Sequence, residues 1–312
     1  MSRPTVEDVR AAARRIAPYV HRTPVVTSAT LDREIGARVV FKCENLQKVG
    51  AFKARGATHA VLRLDAAVAS RGVIAHSSGN HAAALAYAAR IRGIPAVVVM
   101  PEAAAAIKIE AVRGYGAEIV FCPRAEREAT CERLQRERGL SLIHPYENPD
   151  VVAGQGTAAL ELLEQAGELD VVVAPVGGGG LLAGTALAVR GSQPGGAIWG
   201  AEPEAVDDAY RSLATGVRQP AVPDPRTLAD GLLTGLGRLN FEILRDLRAH
   251  VVRVAESEIV AAARFVLERM KLVIEPSAAT ALAAIRRSTA ELRGKRVGAI
   301  LSGGNTDFSW LR

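Results

Sequence analysis

The chain has 312 residues, of which 49% are hydrophobic and 23% charged, and its net charge at pH 7 is +6. This length allows one large domain or two domains that share a cleft, and the composition is that of a globular protein. The positive charge does not indicate a nucleic-acid-binding protein, because the arginines are interspersed with acidic residues and do not cluster beside aromatic residues.

Several other classes are excluded by simple patterns. No apolar run reaches the roughly 20 residues that a membrane-spanning helix needs, and the N-terminus lacks the apolar centre of a signal peptide. We therefore expect a cytoplasmic protein that does not bind membranes. Cys43, Cys122 and Cys131 contain no C-x-x-C pair, which argues against a disulfide framework or a structural zinc site.

Short apolar, β-branched runs alternate with helical patterns along the chain. A first amphipathic helix is predicted after Thr5, which has the side chain of an N-cap. Further helices are predicted between the strands, including residues 80–92 and 125–138. The predicted strands are 38–44, 73–78, 95–100, 117–122, 169–176, 197–202, 250–255 and 296–302, with another near residue 141. This alternation predicts a doubly wound α/β fold.

The spacing of these elements also predicts a division into two domains. The strands near residues 73, 96, 118 and 141 form a compact set, and a polar hinge that contains proline follows them. We expect a small α/β domain, residues 72–145, inserted into a large domain made of residues 1–71 and 146–312. The proline-rich segment 216–232 is expected to be a surface loop that returns to the cleft.

A run of glycines follows the strand predicted at 169–176 and begins a helix. Backbone amides at such a helix start form a phosphate cradle. The Gly-Lys-Ser/Thr of a nucleotide P-loop is absent. The turn 178–183 also matches G-x-G-x-x-A, and Glu202 ends the next strand, so an NAD-dependent dehydrogenase is an alternative of a different class. A tight turn without a ligand is the third possibility. The run consists of Gly177, Gly178, Gly179 and Gly180.

A second candidate site is the stretch "SSGNH". Its residues end a predicted strand and begin a helix, where hydroxyl and amide donors suit an anionic group such as a carboxylate. Ordinary capping of the helix is the alternative interpretation. The side chains concerned are Ser77, Ser78, Asn80 and His81.

Lys53, in "GAFKARGA", lies just inside the start of a predicted helix. The helix dipole disfavours positive charge there and is expected to lower the pKa of the amine. An amine with a lowered pKa serves as an imine former or as a general base. A surface lysine beside Arg55 is the alternative.

An acidic cluster is the fourth candidate, since four carboxylates occur within seven residues. Such oxygen ligands suit a hard cation, Mg²⁺ or Ca²⁺, although an acidic loop facing water is equally consistent. The cluster consists of Glu202, Glu204, Asp207 and Asp208.

Seven motifs occur in an order that identifies a known family. They are "KCENLQKVGAFKARGA", "SSGNHAAALA", "AGQGTAALELLEQ", "PVGGGGLLAGTAL", "GAEPEAVDD", "IEPSAATALAA" and "AILSGGNTD". Together they resemble the pyridoxal-phosphate (PLP)-dependent threonine/serine dehydratase and serine racemase family, of the tryptophan-synthase-β-like fold type II. The resemblance extends from about Val20 to Asp307.

This resemblance implies two open α/β domains with the active site in the cleft between them, and it implies roles for individual residues. Lys53 would hold the cofactor aldehyde covalently, with Phe52 packed beside the ring. The four glycines would bind the cofactor phosphate, and Ser302 would face the pyridine nitrogen. Asn80 would bond the phenolic oxygen, and Ser77, Ser78, Asn80 and His81 would bind the substrate carboxylate. Glu202, Asp208 and the carbonyl of Val206 match a divalent-cation site.

The resemblance also implies an activity. The expected reaction is α,β-elimination of L-threonine or L-serine to a 2-oxo acid and ammonia, in amino-acid catabolism. Serine racemase and threo-3-hydroxyaspartate ammonia-lyase are the alternatives, and Ser78 would supply the second acid that racemisation needs. Tyr146, where racemase-like members carry a small amide, favours the lyase. A homodimer or homotetramer is expected.

Overall fold

The computed structural model describes residues 3–77, 79–102, 104 and 106–311. Its strands form two mainly parallel sheets of six and four strands, with helices packed against them. The predicted α/β class is therefore confirmed. Residues 1, 2, 78, 103, 105 and 312 lie outside the described part, and with them the predicted role of Ser78.

The larger sheet has the strand order β1-β2-β10-β7-β8-β9. All neighbouring pairs are parallel except β1 and β2, which are antiparallel. Apolar residues on both faces of the sheet are buried beneath helices, as expected for a parallel sheet. Its strands are β1 (Val25–Thr27), β2 (Arg38–Cys43), β7 (Val171–Pro175), β8 (Ala197–Pro203), β9 (His250–Val254) and β10 (Arg296–Leu301).

The smaller sheet has the order β5-β4-β3-β6 and is parallel throughout. Its strands are β3 (Val73–His76), β4 (Ala96–Pro101), β5 (Glu118–Cys122) and β6 (Ser141–Leu142). All of them fall within residues 72–145. The exact domain boundaries remain a prediction.

The helices cover the faces of both sheets. The first begins as predicted, with Thr5 and Asp8 forming a capping box. The helices are α1 (Val6–Ile16), α2 (Ala29–Ile35), α3 (Lys53–Arg63), α4 (Ala66–Ala69), α5 (Asn80–Arg92), α6 (Ala106–Gly114), α7 (Arg127–Arg138), α8 (Pro149–Ala166), α9 (Gly180–Ser192), α10 (Asp208–Thr215), α11 (Arg238–Asp246), α12 (Glu256–Phe265), α13 (Pro276–Arg287) and α14 (Thr289–Leu292). Within the described residues, no helix is both long and apolar enough to cross a bilayer.

Helix α8 lies between α3 and α9, and small residues allow all three to pack closely. A Cβ added at Gly154 would lie 2.6 Å from the Cα of Gly56 on α3. A Cβ added at Gly184 on α9 would lie 2.5 Å from the backbone nitrogen of Gly156. Because either side chain would force the helices apart, these glycines determine how closely α8 approaches α3 and α9.

Candidate active site

A cavity of about 470 Å³ opens where the carboxyl ends of the two sheets face each other. Ligand sites in parallel α/β sheets occur at this edge. One side of the cavity, here called the large-sheet wall, is formed by residues that follow the adjacent strands β2, β10 and β7: Lys53, Ser302, Gly177, Gly178, Gly179 and Gly180. The other side, the small-sheet wall, follows the strands β3, β4 and β5 and includes Ser77, Asn80, His81, Lys108 and Arg127.

Lys53 is the first residue of α3, as the sequence predicts, and its side chain enters the cavity. The amine Nζ donates a hydrogen bond to the carbonyl of Pro145 at 2.7 Å and lies 5.1 Å from the ring centroid of Phe52. Burial lowers the pKa of this amine to about 8, and the carboxyl of Glu275 opposes the shift. The expected direction is found, with burial as its largest cause in place of the helix dipole.

The start of α3 is attached to the end of β10. The backbone amide of Phe52 donates to the carbonyl of Ser302 at 2.9 Å, and Ala51 forms a β-bridge with Gly303. Ser302 itself is buried and lines the cavity. The segments that carry the lysine and the serine predicted to contact the cofactor are therefore joined by backbone hydrogen bonds.

The glycine turn also lines the cavity and leads into α9. Gly179 has a φ of 88°, a left-handed conformation that side chains other than glycine rarely adopt. A Cβ added at Gly178 would lie 2.4 Å from the ring of Tyr146. The bare turn therefore leaves its backbone amides open to a ligand at the positive end of a 13-residue helix.

On the small-sheet wall, Asn80 begins α5, the helix predicted at residues 80–92. Its amide nitrogen donates to both carboxyl oxygens of Glu275, at 3.0 and 3.1 Å, and its oxygen accepts from Asn305 at 2.9 Å. Ser77 lies beside it, with its hydroxyl accepting from the amide of Gly79 at 3.3 Å.

His81 lines the cavity, but the structure limits how its side chain acts. The side-chain nitrogen Nε2 donates to the carbonyl of Ile143 at 2.8 Å, since a carbonyl only accepts, and Nδ1 has no hydrogen-bond partner in the described part of the chain. Burial lowers the pKa of the imidazole to about 3. The ring is therefore neutral, its Nδ1 carries no hydrogen, and any donor that His81 offers a carboxylate is its backbone amide.

Several residues of the cavity carry no role in the sequence-based prediction. Glu275 is 4% exposed, and burial raises the pKa of its carboxyl to about 7, although the hydrogen bonds from Asn80 oppose the shift. It belongs to the motif "IEPSAATALAA", where an acid before a helix is typical of an ordinary cap. The other cavity residues of this kind include Lys108, Arg127 and Asp230.

The predicted cation ligands are buried and bonded within the protein. The carboxylate of Glu202 accepts from the backbone amides of Ala209 and Tyr210 at 2.9 and 2.8 Å, and Asp208 accepts from that of Leu236 at 2.7 Å. Val206 is buried in the turn between them. Among the described residues, no group of three or more His, Cys, Asp or Glu side chains is arranged to hold a metal ion.

A buried ionic cluster supports the segment that carries Lys53. Arg55 is fully buried and binds both oxygens of Glu44, at 2.7 and 2.8 Å, and both oxygens of Glu161, at 2.8 and 2.9 Å. Lys42 donates to Glu161 at 2.6 Å. The cluster connects β2, α3 and α8 two residues away from Lys53. It also argues against the alternative interpretation of Lys53 as a surface lysine beside Arg55, because Arg55 is itself fully buried.

The chain matches the family described as "Pyridoxal-phosphate dependent enzyme" over residues 16–303. It belongs to the pyridoxal-phosphate-dependent enzymes. The matched residues include Lys53, the glycine turn and Ser302. A dehydrogenase is not supported, because Glu202, which a dinucleotide site would need for the ribose, is 1% exposed and bonded to backbone amides.

Individual relatives in this family are similar over almost their whole length. The chain is 46% identical to serine racemase of Dictyostelium discoideum, covering 99% of this chain and 97% of that protein. It is 48% identical to L-threo-3-hydroxyaspartate ammonia-lyase of Saccharomyces cerevisiae, covering 98% and 94%. The crystal structure of T.th. threonine deaminase superposes with a TM-score of 0.93 at 48% identity, covering 98% and 100%.

The cavity fits the family's cofactor. It has a buried amine of lowered pKa after β2, a bare glycine turn after β7, and enough volume for a phosphorylated ring. A side chain at Gly178 would clash with Tyr146, and one at Gly179 would be strained. The large-sheet wall is therefore the part of the structure that would hold pyridoxal phosphate.

Proposed function

We propose that this protein is a PLP-dependent ammonia-lyase that converts a β-hydroxy amino acid, L-threonine or L-serine, into a 2-oxo acid and ammonia by α,β-elimination. The observation that carries the proposal is the presence of the Lys53 amine and the glycine turn in one cavity. The bound cofactor would supply the electron sink that makes the substrate α-proton removable.

The residues of the large-sheet wall would bind the cofactor and move the proton. Lys53 would hold the aldehyde and, once displaced by the substrate amine, would accept the α-proton, since a pKa of about 8 leaves a substantial neutral fraction near pH 7.5. The amides of the glycine turn would bind the phosphate. Ser302, an uncharged partner for the ring nitrogen, suits elimination over transamination.

The residues of the small-sheet wall would bind and orient the substrate. The start of α5, with Ser77, Asn80 and the backbone amide of His81, is suited to the α-carboxylate because the positive end of the helix dipole points at it. Asn80 would also contact the phenolic oxygen of the cofactor. Its hydrogen bonds to Glu275 and Asn305 hold its amide in one orientation for that contact.

A second candidate substrate has an additional carboxylate, as in threo-3-hydroxyaspartate. The specific observation in its favour is Arg127, at the start of α7, which lines the cavity on the small-sheet wall. The planar guanidinium binds carboxylates in a bidentate manner. Glu128 lines the same wall, and its negative charge would disfavour a second carboxylate. The relative strength of these two effects would set the preference between substrates with one carboxylate and substrates with two.

A substrate panel tests the reaction and separates the candidates. Purified protein with PLP is assayed with L-threonine, L-serine, D-serine and threo-3-hydroxyaspartate, and both the 2-oxo acid and the serine enantiomer are measured. We expect 2-oxo acid from at least one substrate. If the dicarboxylic substrate is preferred, Arg127→Met should raise its KM about tenfold or more and leave the KM for L-serine nearly unchanged. Formation of D-serine without 2-oxo acid would overturn the lyase proposal.

Racemisation is the alternative activity, and Ser78 is the residue that would supply its second acid. Ser78→Ala should abolish any D-serine formation and leave measurable elimination from L-serine. Equal loss of both activities would assign the serine to substrate binding alone.

Other parts of the proposal concern a bound cation, the cellular location, the oligomeric state and the domain boundaries. A divalent cation, Mg²⁺ or Ca²⁺, is proposed at Glu202, Asp208 and the carbonyl of Val206, and activity that is indifferent to chelators would rule it out. We also propose a cytoplasmic homodimer or homotetramer with residues 72–145 as a separate small domain. Light scattering and limited proteolysis of the holoenzyme test the assembly and the boundaries.

A further inference from the structure

Asn240, on helix α11, contacts the glycine turn from the side opposite the cavity. The residue is completely buried. Its amide nitrogen Nδ2 donates to the carbonyl of Gly178 at 2.6 Å and to the carbonyl of Tyr146 at 3.1 Å. The backbone amide of Gly237, just before α11, donates to the same Gly178 carbonyl at 3.1 Å. The Gly178 carbonyl is therefore held by two donors that both belong to the start of α11.

This arrangement determines where the next backbone amide points. In a planar trans peptide the carbonyl and the following N–H point in opposite directions. Because α11 holds the carbonyl of Gly178, the N–H of Gly179 points away from α11, and Gly179 lines the cavity. Rotation of this peptide would instead turn a carbonyl oxygen toward an anionic ligand, which would repel it.

The orientation of the Asn240 side chain is itself fixed. Its oxygen Oδ1 is buried and has no hydrogen-bond partner in the part of the chain that the structure describes. Exchanging the oxygen and nitrogen of the amide would place the oxygen against two carbonyl oxygens and lose both hydrogen bonds. Burying an unpaired acceptor carries an energetic cost. We interpret that cost as one incurred in order to supply two donors from a single buried nitrogen.

The second contact of Asn240 extends to the segment that holds the lysine. Tyr146, whose carbonyl accepts from Asn240, directly follows Pro145, whose carbonyl accepts from the Lys53 amine. The neighbouring Glu147 accepts from the backbone amide of Leu239 on α11 at 2.7 Å. The start of α11 therefore fixes both the glycine turn and the backbone acceptor of the reactive amine.

We propose that Asn240 is a positioning residue that keeps the glycine turn in its anion-binding conformation. It would also set the position of the turn relative to Pro145 and Tyr146, the segment whose Pro145 carbonyl accepts the hydrogen bond from Lys53. The proposal rests on the proposed function, in which the turn binds the cofactor phosphate. It assigns a role to a residue of α11 that is not among those lining the cavity.

The test compares two ligands that differ only in the phosphate group, PLP and pyridoxal. Their affinities for the cofactor-free enzyme are measured for the wild type, Asn240→Leu and Asn240→Asp. We expect PLP affinity to fall about tenfold or more in both variants, as for loss of a buried hydrogen bond, and pyridoxal affinity to change less than about twofold. Inorganic phosphate should compete with PLP in the wild type and compete more weakly in the variants.

Leu244→Ala is the matched control, since Leu244 is buried on the same helix and removing its side chain destabilises the core. It should leave the preference for PLP over pyridoxal unchanged. If the leucine and aspartate variants do not fold, Asn240→Ser, which retains one donor, is measured in the same way and should show a smaller loss of that preference.

The outcomes separate the two proposals. A wild type that binds PLP and pyridoxal equally would refute the phosphate cradle and with it the proposed use of the turn. A wild type that prefers PLP, with variants that keep the preference in full, would refute the role of Asn240 alone. Equal loss of both affinities would show a general structural role and would also overturn the inference.

Discussion

The two walls of the cavity are built in different ways. The large-sheet wall consists mainly of backbone groups and one amine, and its parts are joined by buried hydrogen bonds such as those from Phe52 to Ser302 and from Asn240 to Gly178. The small-sheet wall presents charged and polar side chains, including Lys108 and Arg127. The large-sheet wall is thus a fixed wall, held by buried hydrogen bonds. The small-sheet wall is an adjustable wall, because its chemistry depends on side chains that can be substituted.

This difference relates the fold to the chemistry. Backbone amides are present whatever the side chains are. They therefore suit a ligand that all members of the family share, which is the phosphorylated cofactor. Lys108 and Arg127 on the other wall are only partly buried, so we expect that they can be exchanged without changing the fold. We therefore expect the large-sheet wall to determine the reaction type and the small-sheet wall to determine the choice of substrate.

The largest effect is expected at the amine of the large-sheet wall. Lys53→Ala should reduce turnover by at least about 10³-fold, because both the covalent attachment and the base are lost. The melting temperature of the cofactor-free protein should change little, since the side chain makes a single hydrogen bond to the carbonyl of Pro145. Steady-state kinetics and thermal unfolding measure the two effects. Lys295→Ala is the control and should keep full activity; substantial turnover by Lys53→Ala would remove the lysine from the mechanism.

The next largest effect is expected in the buried ionic cluster beneath that wall, where a substitution should lower the stability of the protein. Arg55→Leu removes the guanidinium from the carboxylates of Glu44 and Glu161, and among the described residues only Glu161 keeps a cationic partner, Lys42. The side chains of Glu44 and Arg55 are 0% exposed. We expect the free energy of unfolding to fall by about 3–5 kcal/mol, the usual result of breaking a buried ion pair. Denaturant unfolding measures it. Arg133→Leu is the control, because it removes an exposed ion pair with Glu137 and should change stability little. Similar losses of stability in both variants would contradict the expected difference between buried and exposed ion pairs.

Glu275 lies where the two walls meet, and its contribution to the stability of the folded protein should depend on pH. Its pKa is about 7 in the folded protein against an ordinary 4.5, so the fold favours the protonated form. Its stabilising contribution is complete below pH 4.5 and is lost as the pH rises through 7. Between pH 5 and pH 8 the wild type should therefore lose up to about 3 kcal/mol relative to Glu275→Gln, which cannot ionise. Unfolding of both cofactor-free proteins across this range measures the difference, and parallel pH profiles would show that the carboxyl is not buried as described.

Much of this organisation could be predicted from the sequence, because it depends on local patterns. Helix α5 has the predicted bounds, and the eight longer predicted strands are present. Strand β1 was not predicted, since a segment of three residues is too short to show a period. Helix α7 begins two residues later than expected, because a 3₁₀ turn at Arg124–Glu126 precedes it.

The residues that support the site were harder to predict, because their partners are distant in sequence. Glu275 and Asn80 are 195 residues apart, and Asn240 and Gly178 are 62 apart. A single asparagine on the apolar face of "RLNFEILRDL" carries no motif, and only the fold shows what it contacts. Motifs identified the groups that would contact the cofactor, whereas the buried partners that orient those groups required the structure.

The smallest effect is expected at the mouth of the small-sheet wall. Lys108 on α6 forms a 2.6 Å ion pair with Asp230 on the opposite side of the cavity, and their side chains are 27% and 52% exposed. Because water screens such a pair, Lys108→Ala should change the free energy of unfolding by less than about 1 kcal/mol, and the change should vanish in high salt. PLP affinity should be unaltered, since the pair does not contact the glycine turn. Unfolding and cofactor titration at low and high salt test this, with Lys108→Arg retaining the wild-type values. A marked loss of PLP affinity in Lys108→Ala would show that the two walls are not independent, because a charge on the adjustable wall would then control binding at the fixed one.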